Sequence, residues 1–169
     1  MNNHQFSLIP SGITILRIIL SFIFAFLLLN GHLLLSVLIL TIAILTDAID
    51  GYLARKLNSN SFYGAYLDIT ADFILVLISF IVFAVIGIYP YWVIFLIVIV
   101  FLQFILTSKL QILVYDPVGK YYGSFLFGMI LITIITPPYI HQYLLVIIVL
   151  YTLISLLSRY LALFIKKRK

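Results

Sequence analysis

Four aspartates, Asp47, Asp50, Asp68 and Asp72, fall within 26 residues of a 169-residue chain that has five acidic side chains and no glutamate. The fifth acid is Asp116, and most of the remaining sequence is Leu, Ile, Val, Phe and Tyr. An ionised carboxylate in apolar surroundings costs several kcal/mol unless it is paired or bound to a metal. Ion pairs such as Asp50 with Arg55 would offset part of that cost, but four acids exceed the basic partners nearby in the sequence. Hard carboxylate oxygens suit Mg²⁺, Mn²⁺ or Ca²⁺. Four of them can bridge two ions, an arrangement common in phosphoryl chemistry. The expectation is a two-ion Mg²⁺ or Mn²⁺ site built from Asp47, Asp50, Asp68 and Asp72.

Helical spacing groups these residues. At about 100° per residue, Asp47 and Asp50 share a face with Gly51, Ala54 and Asn58, with Arg55 at its edge. Asp68 and Asp72, four apart, share theirs with Gly64, Ala65 and Ala71. Small residues let helix backbones approach closely and let a bulky ligand lie against the backbone.

The elements that must carry this cluster are membrane helices. The chain is 65% hydrophobic and 9% charged, with a mean hydropathy of +1.29. A soluble domain of this length could not hide so much apolar surface. The expected fold is all-α: one polytopic membrane domain over residues 1–169, a bundle of six transmembrane helices with an interfacial di-metal site. A crossing needs roughly 20 apolar residues. The spans read as 12–30, 33–57, 63–87, 91–114, 119–137 and 140–165. Asn30-Gly31-His32, the polar stretch Asn58–Ser61, Gly87 with Pro90, Asp116-Pro117 and Pro137-Pro138 mark the breaks. The polar N-terminal residues lack a basic region, so no cleaved leader is expected. Without cysteine there are neither disulfides nor thiolate metal sites.

Charge sets the orientation. Arg17, Arg55, Lys56, Lys109, Lys120, Arg159 and the tail Lys166-Lys167-Arg168-Lys169 fall near one side, while the loops near 31, 88 and 139 carry no Lys or Arg. The positive-inside rule then predicts a multi-pass protein of the cell membrane with both termini and the aspartates on the cytoplasmic side. The net charge of +5 is concentrated in the tail, which argues for a membrane stop and contact with anionic lipids, not for nucleic acid. Tyr89, Tyr91 and Trp92 read as an interfacial aromatic belt.

The segment Asp47-Ala48-Ile49-Asp50-Gly51-Tyr52-Leu53-Ala54-Arg55, then Gly64, Asp68 and Asp72, resembles the signature of the CDP-alcohol phosphatidyltransferase family. All eight fixed positions are filled. The resemblance implies an integral-membrane enzyme of phospholipid synthesis, a phosphotransferase for substituted phosphate groups. It would move a phosphatidyl or archaetidyl group from CDP-diacylglycerol or CDP-archaeol to a polar alcohol, releasing CMP. It implies metal binding by Asp47, Asp50 and Asp68. Asp72 becomes both metal ligand and the catalytic base for the acceptor hydroxyl. Gly51, Ala54, Arg55 and Gly64 become nucleotide contacts. Such a membrane enzyme leaves room for a homodimer.

The opening Pro10-Ser11-Gly12-Ile13-Thr14-Ile15-Leu16-Arg17 is similar to that of the phosphatidylglycerophosphate synthases in this family. With Lys109, Lys120 and Arg159, Thr14 and Arg17 become candidate contacts to a phosphorylated acceptor, glycerol 3-phosphate before inositol phosphate or another polar alcohol. A structural reading stands beside it, in which Arg17, Lys109, Lys120 and Arg159 snorkel to the interface. His4, His32 and His141 are dispersed and receive no role. A divalent-cation transporter would place its acids near the bilayer midplane in broken helices, unlike this cluster. An inactive assembly partner would more often carry a broken motif.

Overall fold

Long runs of Leu, Ile, Val and Phe, bounded by Gly and Pro, fold as helices in the computed structural model, which describes residues 8–56, 62–109 and 119–167. These form α1 (Leu8–Leu29), α2 (Leu33–Lys56), α3 (Phe62–Val85), α4 (Trp92–Lys109), α5 (Tyr122–Ile135) and α6 (Pro138–Lys167). A short 3₁₀ turn, Gly119–Tyr121, leads into α5. No strand occurs among the described residues. The helices follow the six expected runs closely. The largest differences are at α4, described only to Lys109, at α1, which begins before its expected start, and at α5, which is shorter at both ends. The expected end of the fourth span, 110–114, lies outside the described residues.

Two compact units divide the chain, Met1–Val82 and Phe83–Lys169. In the first, α1 packs on α2. Arg17, Leu20, Ser21, Phe24 and Leu28 form the buried stripe of α1, and Ser36, Leu40 and Ala43 that of α2. In the second, α6 packs on both α4 and α5. Its buried stripe is Leu144, Ile148, Thr152, Ser155 and Arg159. Spacings of three and four residues bring each set onto one helix face.

The outer faces are apolar, and several polar groups lie inside among the apolar core residues. Arg17, Ser21, Ser36, Ser79, Thr133, Thr152, Ser155 and Arg159 are buried, whereas Phe22, Phe26, Leu34, Phe95, Leu106 and Leu157 are exposed. Hydroxyls inside such helices find acceptors on their own backbone. Ser79 donates to the Leu75 carbonyl at 2.7 Å, and Thr152 to that of Ile148 at 2.6 Å. This local bond satisfies a polar group that would cost free energy if orphaned. Among the described residues one stretch, Pro138–Ala162, is long and apolar enough by itself to cross a membrane. The other apolar stretches, such as Ile15–Leu29 and Ile69–Val85, are shorter.

Two helices end in the same way. Gly31 has φ of 78° and Gly87 φ of 80°, the left-handed region where a Cβ is penalised. His32 N–H reaches back to the Leu27 carbonyl and Gly31 N–H to that of Leu28. Ile88 and Gly87 repeat the pattern onto Phe83 and Ala84. Both are Schellman closures, which occupy the carbonyls a helix end leaves free.

Candidate functional site

The aspartates lie where two helices carry them. Asp47 and Asp50 are three apart near the C-terminal end of α2, on a backbone that is helical through Gly51, Ala54 and Arg55. Gly64, Asp68 and Asp72 lie in the first half of α3. Of the four acids, Asp72 has a described side chain. Those of Asp47, Asp50, Gly51, Ala54, Arg55, Gly64 and Asp68 lie outside the described residues, as do those of Thr14, Lys109 and Lys120. Lys109 is the last residue of α4 and Lys120 stands in the 3₁₀ turn. Among the described residues no three potential metal ligands come together.

Asp72 and Arg17 are brought together. Arg17 Nη1 donates to Asp72 Oδ1 at 2.8 Å, joining α1 to α3. The arginine side chain is 1% exposed and the aspartate 30%. This sets aside the alternative reading in which Arg17 anchors its helix at the interface. It occupies the buried stripe of α1, where the Asp72 carboxylate offsets part of the hydration the guanidinium loses. Asp72 fits the proposed metal chemistry in kind: it offers a hard carboxylate with partial access to solvent, and Arg17 offsets its charge.

Arg159 is held differently. It is buried to 9% exposure, with its guanidinium 4.6 Å from the centroid of the Phe104 ring. Here too the snorkelling expectation gives way, because the cation lies over an aromatic face that attracts it electrostatically. Two turns earlier on the stripe, Thr152 bonds the Tyr122 hydroxyl at 3.0 Å. The Tyr151 ring stacks on Phe125 with centroids 4.0 Å apart.

A second polar cluster was not anticipated. Tyr89, expected in the aromatic belt, is 3% exposed, unlike Tyr91 and Trp92. Its amide and that of Ile88 both bond the Phe83 carbonyl, which turns Tyr89 inward past the end of α3. There its hydroxyl meets Thr133 Oγ1 at 2.6 Å. Burial raises its phenol pKa, against the opposing effect of the Thr133 hydrogen bond. His141, given no role from its spacing, lies in the first turn of α6 and donates from Nε2 to the Thr133 and Thr136 carbonyls, both at 3.1 Å. It thereby closes the C-terminal end of α5. The signal that could have found this cluster is the concentration of polar residues about Pro137-Pro138.

Residues 7–159 match the model of the CDP-alcohol phosphatidyltransferase family, and the chain belongs to that family. A CDP-diacylglycerol–glycerol-3-phosphate 3-phosphatidyltransferase of Wigglesworthia glossinidia brevipalpis is 43% identical over 76 residues, 43% of this chain and 42% of that protein. The protein of the same description from Haemophilus influenzae is 44% identical over 71 residues, 40% of this chain and 38% of its own length. An uncharacterized protein of Aquifex aeolicus is 38% identical over 68 residues, 40% of this chain and 35% of its own. The matched stretch thus spans well under half of each relative.

Proposed function

We propose that this protein is an integral-membrane CDP-alcohol phosphatidyltransferase, transferring a phosphatidyl group from CDP-diacylglycerol to glycerol 3-phosphate with release of CMP. The observation that carries the reading is the complete eight-position motif on α2 and α3 of a chain matched by the family model over residues 7–159. The names of the relatives support the acceptor. CDP-archaeol as donor, and inositol phosphate as acceptor, would use the same chemistry.

Asp47, Asp50, Asp68 and Asp72 would hold two Mg²⁺ or Mn²⁺ ions. When bound, such ions neutralise charge that develops on the transferred and leaving phosphates. Gly51, Ala54 and Gly64 leave room for the nucleotide beside the helix backbones, and Arg55 pairs with the diphosphate. The acceptor hydroxyl oxygen attacks the phosphorus that bears the lipid. The new P–O bond forms as the bond to CMP breaks, and the hydroxyl proton passes to Asp72. Thr14, Lys109, Lys120 and Arg159 are assigned to the acceptor and its phosphate. The helices are read as six spans with both termini cytoplasmic, so that the lipid tails stay in the bilayer while the acceptor arrives from the cytoplasm. Buried hydroxyls and exposed Leu and Phe support that placement.

The test is CMP release by detergent-extracted protein with CDP-diacylglycerol or CDP-archaeol and a panel of acceptors. Glycerol 3-phosphate should support turnover in Mg²⁺ or Mn²⁺. Excess EDTA, or Asp47→Asn, Asp50→Asn or Asp68→Asn, should abolish it. Asp72→Asn should lower it by about 10²–10⁴ while CDP-lipid still binds. Full CMP release in EDTA would refute the metal assignment.

A further inference from the structure

Arg17 has surrendered nearly all contact with solvent, being 1% exposed, whereas its partner Asp72 keeps 30% of its side-chain surface open. The pair is therefore graded: the cation is its buried member and the carboxylate its more accessible one. A soluble acceptor could reach Arg17 directly only by extracting it from the stripe it shares with Leu20, Ser21, Phe24 and Leu28. Its guanidinium already donates to Asp72 Oδ1 at 2.8 Å across a sequence separation of 55 residues.

We propose that Arg17 is a positioning residue for Asp72, gripping Oδ1 so that the carboxylate is held in one orientation while the acceptor hydroxyl gives up its proton. This rests on the phosphatidyl-transfer reading. It replaces a direct contact between Arg17 and the acceptor. Lysine should substitute poorly, because it offers a point charge on a flexible stem where arginine offers a rigid planar fork.

A double-mutant cycle on the full chain tests it, with Arg17→Gln, Asp72→Asn, their combination and Arg17→Lys. The first readout is thermal melting in detergent without substrate. Non-additive losses from Arg17→Gln and Asp72→Asn are expected, since contacting residues couple. The second readout is turnover with CDP-diacylglycerol and varied glycerol 3-phosphate. Arg17→Gln should lower turnover by about 10–100-fold, as for other residues that orient a ligating group, with the acceptor KM unchanged. The combined variant should be no slower than Asp72→Asn alone, because residues acting as a unit are not additive. Arg17→Lys should recover part of the loss.

A raised acceptor KM with turnover preserved would make Arg17 an acceptor contact and overturn the proposal. So would rate losses that multiply in the combined variant. If Arg17→Gln does not fold, Arg17→Lys alone and combined with Asp72→Asn completes the same cycle. Absence of CMP release from the unmodified protein with every acceptor would refute the transfer reading. Additive melting losses would independently refute the link between Arg17 and Asp72.

Discussion

A buried phenol stays neutral beyond its usual range, and Tyr89 is such a group, its burial outweighing the opposing Thr133 hydrogen bond. Its native pKa lies above the ordinary value of 10.0. Above that pH the unfolded chain ionises while the folded chain holds its proton. The contribution to stability is complete below pH 10 and is lost as pH rises toward the native pKa. Tyr89→Phe should therefore cost about 0.5–1.5 kcal/mol at neutral pH by removing the bond to Thr133. It should also flatten the fall of melting temperature as pH rises above about 10. A variant as alkali-sensitive as the parent would mean that another group governs that fall. The motif aspartates were legible in the sequence because their spacing is fixed along two continuous helices. The Arg17–Asp72 bond was not, because helical periodicity identifies a face without saying which distant helix covers it. The stripe at 17, 20, 21, 24 and 28 did carry the hint that Arg17 points inward.

At the scale of elements, the two Schellman closures make opposite predictions from other glycines. A Cβ on Gly31 would meet nothing within 4 Å, so the penalty of Gly31→Ala comes from its positive φ alone, about 1–2 kcal/mol. A Cβ on Gly123, inside α5, also meets nothing within 4 Å. There alanine should stabilise by roughly 0.5–1 kcal/mol, because glycine loses more backbone entropy in a helix. Melting of the two variants side by side checks both signs. The glycine breaks at 31 and 87 were readable from the sequence. The inward turn of Tyr89 was not, since nothing in Ile88-Tyr89-Pro90-Tyr91 distinguishes the tyrosine that folds back onto Phe83 from the one that faces outward.

For the whole molecule, the orientation proposal is tested by single cysteines in a chain that has none. Positions 32, 91 and 139 are exposed turn or helix-start sites. Cysteines there should react only with reagent supplied outside the cell, and those at 2 and 169 only with reagent supplied from the cytoplasm. The reverse pattern would overturn the orientation and the proposed route of the acceptor. Composition made the helical class legible. It could not foresee the sharing of polar groups, in which Ser79 and Thr152 bond within their own helices while Arg17 takes an acid from another.

That last pairing bears on how the chain is made. Asp72 is synthesised 55 residues after Arg17, a delay of roughly 3–11 s at ordinary elongation rates. Throughout it the nascent first helix holds Arg17 without the Asp72 carboxylate, and on the six-span reading a cation in a membrane helix disfavours insertion, by up to about 2.5–3.5 kcal/mol at the helix centre and by less toward its ends. Until the third helix emerges from the ribosome, the first is thus best accommodated at the translocon or the bilayer surface. The bond that aligns the proposed base in the finished protein would also draw its opening helix into place during biogenesis.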